Sequence, residues 1–304
     1  MILLYHRIFP DSTSKQQWYS GPVMRFSDFK NQMNWLQKHF TIVPLSEIVR
    51  LKKEGKREPG KLIAITFDDG FQSYYDFLIP YLEENQIPAT FFITTGHLLD
   101  GELAWFSYLN ALCFERVYKS IVINHKEYNL TKLGLCRKAR RTIGNYIKQI
   151  GQPHSYCEKL ADLYPIPTAI KNGYLGFSEK QIAELGSSNF LDVGGHTIFH
   201  PYLNSINVGE QFSEINGNKL MLEKITQKNI RYFAYPSGEY NKSSIKIINE
   251  SGYDAGFVVK SKNLSDHSIF EIDRIGIYST STIKLCVKVS GFTEFARKFG
   301  FKIG

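Results

Sequence analysis

Short apolar runs alternate with helical patterns along most of this chain, and this alternation limits the folds that it can adopt. Each run ends in polar or glycine-rich sequence, which is typical of a buried parallel strand. Strands that alternate with helices predict an α/β fold with a parallel sheet, either open or closed into a barrel. The predicted strands are residues 2–5, 62–66, 90–94, 191–193, 232–235 and 255–259.

Helical patterns lie between these runs. One helix is predicted to begin after Ser178, because Ser178 and Gln181 form a capping box in front of an apolar stripe. Residues 100–174 depart from the alternation, and their basic helical sequence predicts a mostly helical insertion. The other predicted helices are residues 26–39, 74–85, 210–228 and 243–251.

Composition and charge narrow the class of protein. Hydrophobic residues make up 43% of the chain and charged residues 22%, which fits a globular protein with a large core. The net charge is +8, and residues 100–180 contain 12 Lys or Arg against 7 Asp or Glu. Such a basic segment favours phosphates, anionic membranes or acidic glycans, and a solvated surface is the alternative interpretation. Nothing resembles a nucleic-acid-binding module, so we predict no nucleic-acid partner.

Cysteine spacing and hydropathy bear on the location of the protein. The four cysteines form no CxxC pair, which is typical of a reducing compartment. The apolar run at the N-terminus is too short for a signal peptide, and no apolar stretch reaches the roughly 20 residues of a membrane span. We expect a cytoplasmic protein, with peripheral contact to an anionic inner membrane as an open alternative. The sequence does not indicate an oligomeric state.

Two adjacent carboxylates, Asp68 and Asp69, follow one predicted strand and precede Gly70. Ligand sites of α/β folds lie at the carboxyl ends of strands. One carboxylate of such a pair can bind a metal ion while the other takes a proton from the attacking water. A strand that ends in an ordinary Asp-Gly turn is the alternative interpretation.

Two histidines, His196 and His200, follow another predicted strand. On a helical turn their i, i+4 spacing would bring both imidazoles to one side, where they could bind one metal ion. Two histidines and one aspartate leave positions for water and substrate, as in catalytic zinc sites. We interpret Gly194 and Gly195 as relaxing the backbone at the strand exit. A third strand ends at residues 236–238 in a turn that can direct a backbone N–H at an oxyanion.

These motifs resemble the successive motifs of the NodB-homology polysaccharide deacetylases, carbohydrate esterase family 4. They are TFDDG at residues 66–70, HTxxH at 196–200 and AYPSG at 234–238. The segments at residues 3–7, 101–105 and 271–275 are similar to one bacterial branch of that family. The resemblance implies a distorted (β/α)₇ barrel. It also implies one polysaccharide deacetylase-like catalytic domain over residues 1–304, with the helical insertion of residues 100–174 within it.

The resemblance further implies roles for individual residues. Asp68 would be the general base, and the backbone N–H of Ser237 would stabilise the oxyanion. Zn²⁺ is the expected divalent metal, although sites of this composition accept several ions. The implied metal ligands are Asp69, His196 and His200.

The chain departs from the family pattern at two points. Ala234 occupies the position where many members carry the arginine that orients the base, and Arg274 is a candidate to replace it. Many members supply a general-acid histidine near the C-terminus, but the only histidine after residue 236 is His267, in loop-like sequence. We predict His6 as the acid, because it ends an apolar run and resembles the N-terminal histidine of poly-N-acetylglucosamine deacetylases. A hydrogen-bonded structural histidine is the alternative.

The expected activity is metal-dependent hydrolysis of an N-acetyl group from an amino sugar of a glycan or glycan precursor. Three alternatives stay open: a deacetylase of a small metabolite, an enzyme for a lipid-linked sugar at the inner membrane face, and a non-catalytic carbohydrate-binding relative. The presence of the complete carboxylate and histidine set argues against the last alternative.

Overall fold

The computed structural model of the protein describes residues 1–12, 24–56, 61–262, 264 and 269–290. Within these ranges the strands are, in chain order, β1 (Ile2–Tyr5), β2 (Ile8–Phe9), β3 (Met24–Arg25), β4 (Thr41–Ile42), β5 (Leu62–Phe67), β6 (Ala89–Ile93), β7 (Ser120–Ile123), β8 (Lys126–Asn129), β9 (Leu191–Gly195), β10 (Tyr232–Ala234), β11 (Ala255–Val258), β12 (Ile272–Asp273) and β13 (Ile275–Gly276). The α-helices are α1 (Phe26–His39), α2 (Leu45–Lys53), α3 (Leu78–Glu84), α4 (His97–Asp100), α5 (Trp105–Phe114), α6 (Leu133–Ile150), α7 (Pro153–Leu163), α8 (Thr168–Lys171), α9 (Glu179–Ser187), α10 (Val208–Thr226), α11 (Lys242–Glu250) and α12 (Thr282–Val289).

The main sheet is parallel, and its strand order is β12-β11-β10-β9-β6-β5-β1-β13, with β4 paired to β5 outside this path. The two edge strands, β12 and β13, are consecutive in the chain and are separated only by Arg274. The sheet therefore curves until its edges nearly meet. This architecture confirms the predicted distorted (β/α)₇ barrel.

Burial explains why the strands could be found in the sequence. Every residue of β1 and β6 is buried, as expected in a barrel whose strands pack against helices on the outside and against side chains of other strands on the inside. All six predicted strands are present, with ends that differ by no more than two residues from the prediction. The edge strands β12 and β13 were not predicted, because two residues are too few to show a periodic pattern.

Most predicted helices are also confirmed. The helix over residues 26–39 is α1, and the Ser178–Gln181 capping box begins α9. The helix predicted over residues 74–85 begins later than expected: residues 72–74 form a 3₁₀ turn, and α3 starts at Leu78.

Among the helices that the structure describes, none combines the length and the apolar character that crossing a membrane requires.

The segment predicted as an insertion has a hydrophobic cluster of its own. Helix α5 packs against α6 and α7, and Leu109, Leu112 and Ile143 are fully buried between them. An antiparallel hairpin of β7 and β8 adds to this cluster. The arrangement presents the first turn of α5 and one side of α6 to the carboxyl ends of the barrel strands, where the candidate site lies.

Candidate metal centre and active site

The predicted site residues come together at the carboxyl ends of the central strands. Asp68 and Asp69 directly follow β5, His196 follows β9 and His6 follows β1, while Ser237 lies in the turn after β10. One cavity of about 560 Å³ lies at this end of the barrel. The predicted residues that line it are His6, Asp68, Asp69, His196, His200 and Ser237.

The three predicted metal ligands face one another. Oδ1 of Asp69 lies 3.7 Å from Nε2 of His196 and 3.7 Å from Nε2 of His200. The ligand atoms of these residues all lie within 4.8 Å of one another. Because a Zn–N or Zn–O bond is about 2 Å long, donor atoms on one ion lie roughly 3 to 4 Å apart. The spacing of the trio therefore suits one shared cation.

The protonation states of these three side chains also suit the binding of a cation. Burial lowers the pKa of His196 and lowers that of His200 further, so both imidazoles are neutral and keep a lone pair. The carbonyl of Ala234 lies 2.7 Å from Nδ1 of His196, which places the proton on Nδ1 and leaves Nε2 free. Burial and the neighbouring Asp68 charge raise the pKa of Asp69 to about 8. A bound cation would favour its ionised form, and an imidazole and carboxylate donor set suits zinc-type ions.

The two histidines do not lie on a helical turn, so this part of the prediction was wrong. Residues 196–200 form a loop after β9, in which Thr197 (φ 65°) and His200 (φ 55°) adopt left-handed backbone conformations. These two reversals turn the chain within five residues and bring the rings of His196 and His200 to a centroid distance of 4.9 Å. The spacing nevertheless identified two histidines that the structure brings together, through a different backbone geometry.

Two polar residues of α10 hold this histidine loop, and sequence analysis missed both. Oε2 of Glu214 accepts hydrogen bonds from the N–H groups of Ile198 (2.8 Å) and Phe199 (2.9 Å). The side chain of Asn218, which is fully buried, donates to the Thr197 carbonyl at 2.7 Å. These bonds satisfy the backbone that the left-handed residues divert from regular structure. The sequence feature that could have identified them is a pair of polar residues one turn apart on the face of α10 that packs on the barrel.

The glycines before the loop have a different role from the predicted one. Gly194 and Gly195 are the last two residues of β9, and neither has a positive φ. A Cβ atom on Gly194 would lie 2.5 Å from the ring of Phe92, and one on Gly195 would lie 2.4 Å from the hydroxyl of Tyr253. They allow close packing at the strand end rather than backbone freedom.

Asp68 is buried and is held by Arg274. Nη1 of Arg274 donates to Oδ1 of Asp68 at 2.7 Å, and Nη2 donates to Oδ2 at 2.8 Å. Burial alone would raise the pKa of Asp68, but the charge of Arg274 and its hydrogen bonds outweigh this effect and lower the pKa to about 2. The guanidinium thus comes from the point where the barrel edges meet, while Ala234 leaves the usual arginine position without a cation.

The remaining predicted residues lie at the cavity wall. The ring of His6 lies 5.6 Å from that of Tyr278, and its Nδ1 is buried without a hydrogen-bond partner in the part of the chain that the structure describes. Burial lowers the pKa of His6, and the charge of Asp68 opposes this effect. Ser237 has a left-handed backbone (φ 55°) in a tight turn. His267 lies outside the described residues.

Aromatic residues of the insertion complete the cavity. The indole N–H of Trp105 donates to the carbonyl of His200 at 2.9 Å, and the ring of Phe106 lies 4.8 Å from the His200 ring. Tyr202 continues this wall and packs against Trp105. Sequence analysis predicted no role for Trp105 at the site. The structure shows that it also supports the loop that carries His200.

Comparison with known proteins agrees with this geometry. The sequence matches the family model described as "Polysaccharide deacetylase" over residues 55–128 and 142–256. The chain belongs to the polysaccharide deacetylase family. This membership confirms the resemblance found in the motifs, and it places the protein among carbohydrate deacetylases, hydrolases that act on carbon–nitrogen bonds.

Relatives of this family member include enzymes with a named polymer substrate. It is 25% identical over 269 residues to the poly-beta-1,6-N-acetyl-D-glucosamine N-deacetylase of Staphylococcus epidermidis, a match that covers 88% of this chain and 72% of the relative. The enzyme of the same name from Staphylococcus aureus is 28% identical over 139 residues, which is 44% of this chain and 48% of that enzyme.

Solved structures show the same fold. The Streptococcus pyogenes deacetylase PplD, determined in complex with acetate, superposes with a TM-score of 0.60 at 17% sequence identity. The superposition covers 95% of this deacetylase family member and 96% of PplD.

Proposed function

We propose that this protein removes the N-acetyl group from an amino sugar of a glycan or glycan precursor, with a divalent cation, expected to be Zn²⁺, as cofactor. The observation that supports this most directly is the convergence of Asp69, His196 and His200 beside Asp68 in one cavity. The curated relatives support the substrate class, because their names specify N-deacetylation of poly-N-acetylglucosamine.

The proposed reaction assigns one task to each residue. Asp69 and the two histidines would hold the cation, which would supply Lewis acidity toward the acetamide carbonyl and the attacking water. Asp68, ionised and oriented by Arg274, accepts a proton from that water. The backbone N–H of Ser237 donates a hydrogen bond to the developing oxyanion. In its imidazolium form, which the charge of Asp68 favours, His6 delivers a proton to the leaving amine, and the products are acetate and a free amino sugar.

The aromatic wall suits a sugar ring. Trp105, Phe106 and Tyr202 line the cavity next to the histidine loop, and Tyr278 lines it next to His6. Apolar ring faces can pack on the C–H face of a pyranose, while the polar groups of the centre fix its orientation. A cavity of about 560 Å³ accommodates a sugar unit with its acetamido group.

Removal of metal is the first test. Treatment with a chelator is expected to abolish acetate release from N-acetylglucosamine oligomers, and added Zn²⁺ is expected to restore it. His196→Ala is expected to lower bound metal at least about tenfold, measured by elemental analysis, because it removes one ligand of three. Full activity in a preparation free of metal would contradict the proposal. Acetate release with metal also separates an enzyme from a non-catalytic sugar-binding relative.

His6→Ala is expected to slow turnover by about 100-fold or more and to leave bound metal unchanged, since a general acid contributes roughly 10² to 10⁴ in rate. Acetate release and metal content are measured on the same sample. His125→Ala, at an exposed hairpin turn outside the cavity, serves as the control and should behave as wild type. Loss of metal in His6→Ala would instead place His6 among the ligands.

We propose that residues 1–304 form one catalytic domain with residues 100–174 as an insertion, and that the protein works in the cytoplasm. The basic insertion leaves a lipid-linked sugar at an anionic membrane as a second candidate substrate. Sedimentation with anionic vesicles at low and high salt tests this candidate, and the absence of salt-sensitive binding would count against it.

A further inference from the structure

The wall that the insertion contributes to the catalytic cavity carries two arginines. Arg140 and Arg141 are neighbours on α6, and both line the cavity that contains the proposed metal centre. The residues beside them on this wall are uncharged: Asn110, Gly144 and Asn145. The acidic residues among those that line the cavity are Asp68 and Asp69, and both belong to the proposed catalytic centre.

Neither arginine has a carboxylate partner within the described residues. Nε of Arg140 donates to the amide oxygen of Asn110 at 2.8 Å, which is a neutral acceptor. Arg141 is exposed and takes part in none of the ion pairs that the structure describes. In contrast, Lys148 on the same helix is paired with Glu239. The positive charge at the cavity is therefore left uncompensated, whereas a lysine further along α6 is neutralised.

Arg140 packs beside the aromatic wall of the cavity, and Gly144 leaves room for its guanidinium. The guanidinium lies 5.9 Å from the ring of Trp105, whose N–H holds the His200 carbonyl. A Cβ atom on Gly144 would lie 2.7 Å from Nη1 of Arg140, so a glycine at this helical position leaves the space that the guanidinium occupies. One aromatic side chain thus separates Arg140 from a proposed metal ligand.

We propose that the substrate carries an oxyanion, a phosphate or a carboxylate, on or next to the N-acetylated sugar, and that Arg140 and Arg141 bind it. This inference rests on the proposed function and narrows its substrate class from neutral to anionic glycans or glycan precursors. A guanidinium presents paired N–H donors whose planar geometry matches such oxyanions. The excess of basic residues in the insertion attracts the same substrates at longer range.

The test compares three substrates on the zinc-loaded protein. They are the neutral methyl glycoside of N-acetylglucosamine, N-acetylglucosamine 1-phosphate, and a disaccharide of glucuronate and N-acetylglucosamine. We expect kcat/KM to be about tenfold or more higher for at least one anionic substrate, because a hydrogen bond to a charged group is worth about that factor. Preference between the phosphate and the uronate identifies which oxyanion the wall accepts.

Variants that each remove one positive charge then show which residues cause the preference for anionic substrates. Arg140→Gln and Arg141→Gln are each expected to lower the ratio of anionic to neutral kcat/KM by about tenfold, mainly through KM. Arg137→Gln is the matched control, since it removes the same charge from the same helix at an exposed position that does not line the cavity. It should keep the wild-type ratio.

The inference is overturned if neutral and anionic substrates are used equally well and all three variants resemble wild type. Failure of the proposed function looks different, because then no substrate releases acetate. In that event, calorimetric binding of N-acetylglucosamine 1-phosphate decides the question. Binding that is kept by Arg137→Gln and lost by the other two variants supports the anionic site, and equal binding by all three rejects it.

Discussion

Asp68→Asn is expected to lower kcat for acetate release by about 10² to 10⁴ while the protein keeps its metal, because it removes the proposed general base but not a ligand. Asparagine has nearly the same shape as aspartate and can still accept one hydrogen bond from Arg274. It cannot take a proton from the attacking water. The measurement is kcat for acetate release together with metal content, on protein whose folded fraction is checked by thermal unfolding.

The adjacent carboxylate provides the contrast. Asp69→Asn changes a neighbouring residue in the same way, but it should lose metal as well as activity, since Oδ1 of Asp69 faces both histidines. Turnover at the wild-type rate in Asp68→Asn would mean that the base is another group. Loss of metal in Asp68→Asn would mean that Asp68, rather than Asp69 alone, belongs to the ligand set.

Arg274→Gln is expected to destabilise the protein by about 3 to 5 kcal/mol and to lower kcat, because it leaves a buried carboxylate without its partner. Arg274 is 2% exposed and donates to both oxygens of Asp68 and to the hydroxyl of Thr66. Arg274→Lys keeps the charge but not the paired donors, so intermediate values of both quantities are expected. Urea unfolding gives the free energy of unfolding, and acetate release gives kcat.

A surface ion pair serves as the control for this change. Arg231 pairs with Asp254 at 2.6 Å, but its side chain is 50% exposed. Arg231→Gln should therefore cost at most about 1 kcal/mol and should leave kcat unchanged. If Arg274→Gln kept both stability and turnover, Arg274 would neither orient the base nor hold the barrel edge.

These two predictions are linked by the way the barrel closes. Arg274 is the single residue between β12 and β13, the strands at opposite ends of the sheet order. The ion pair with Asp68 joins this junction to the end of β5, which only β1 separates from the edge strand β13. Orientation of the proposed base and integrity of the barrel therefore depend on the same contact.

Local patterns in the sequence were enough to predict the longer strands, most of the helices and the candidate metal ligands. Apolar runs marked the six longer strands of the sheet, and the capping box at Ser178 marked the start of α9. The carboxylate pair and the two histidines were recognised by residue type and spacing, because metal sites use few kinds of side chain. These features extend over a few residues each, so they can be read from the chain in order.

The tertiary structure alone decided how those features meet. Arg274 and Asp68 are 206 residues apart, and only closure of the barrel brings them into contact. Tertiary packing likewise places the left-handed loop of the two histidines against Glu214 and Asn218 on α10. It also places the two arginines of α6 at the cavity. Local periodicity encodes which face of an element is buried. It does not encode which distant side chain lies against that face, because this depends on the packing of the whole chain.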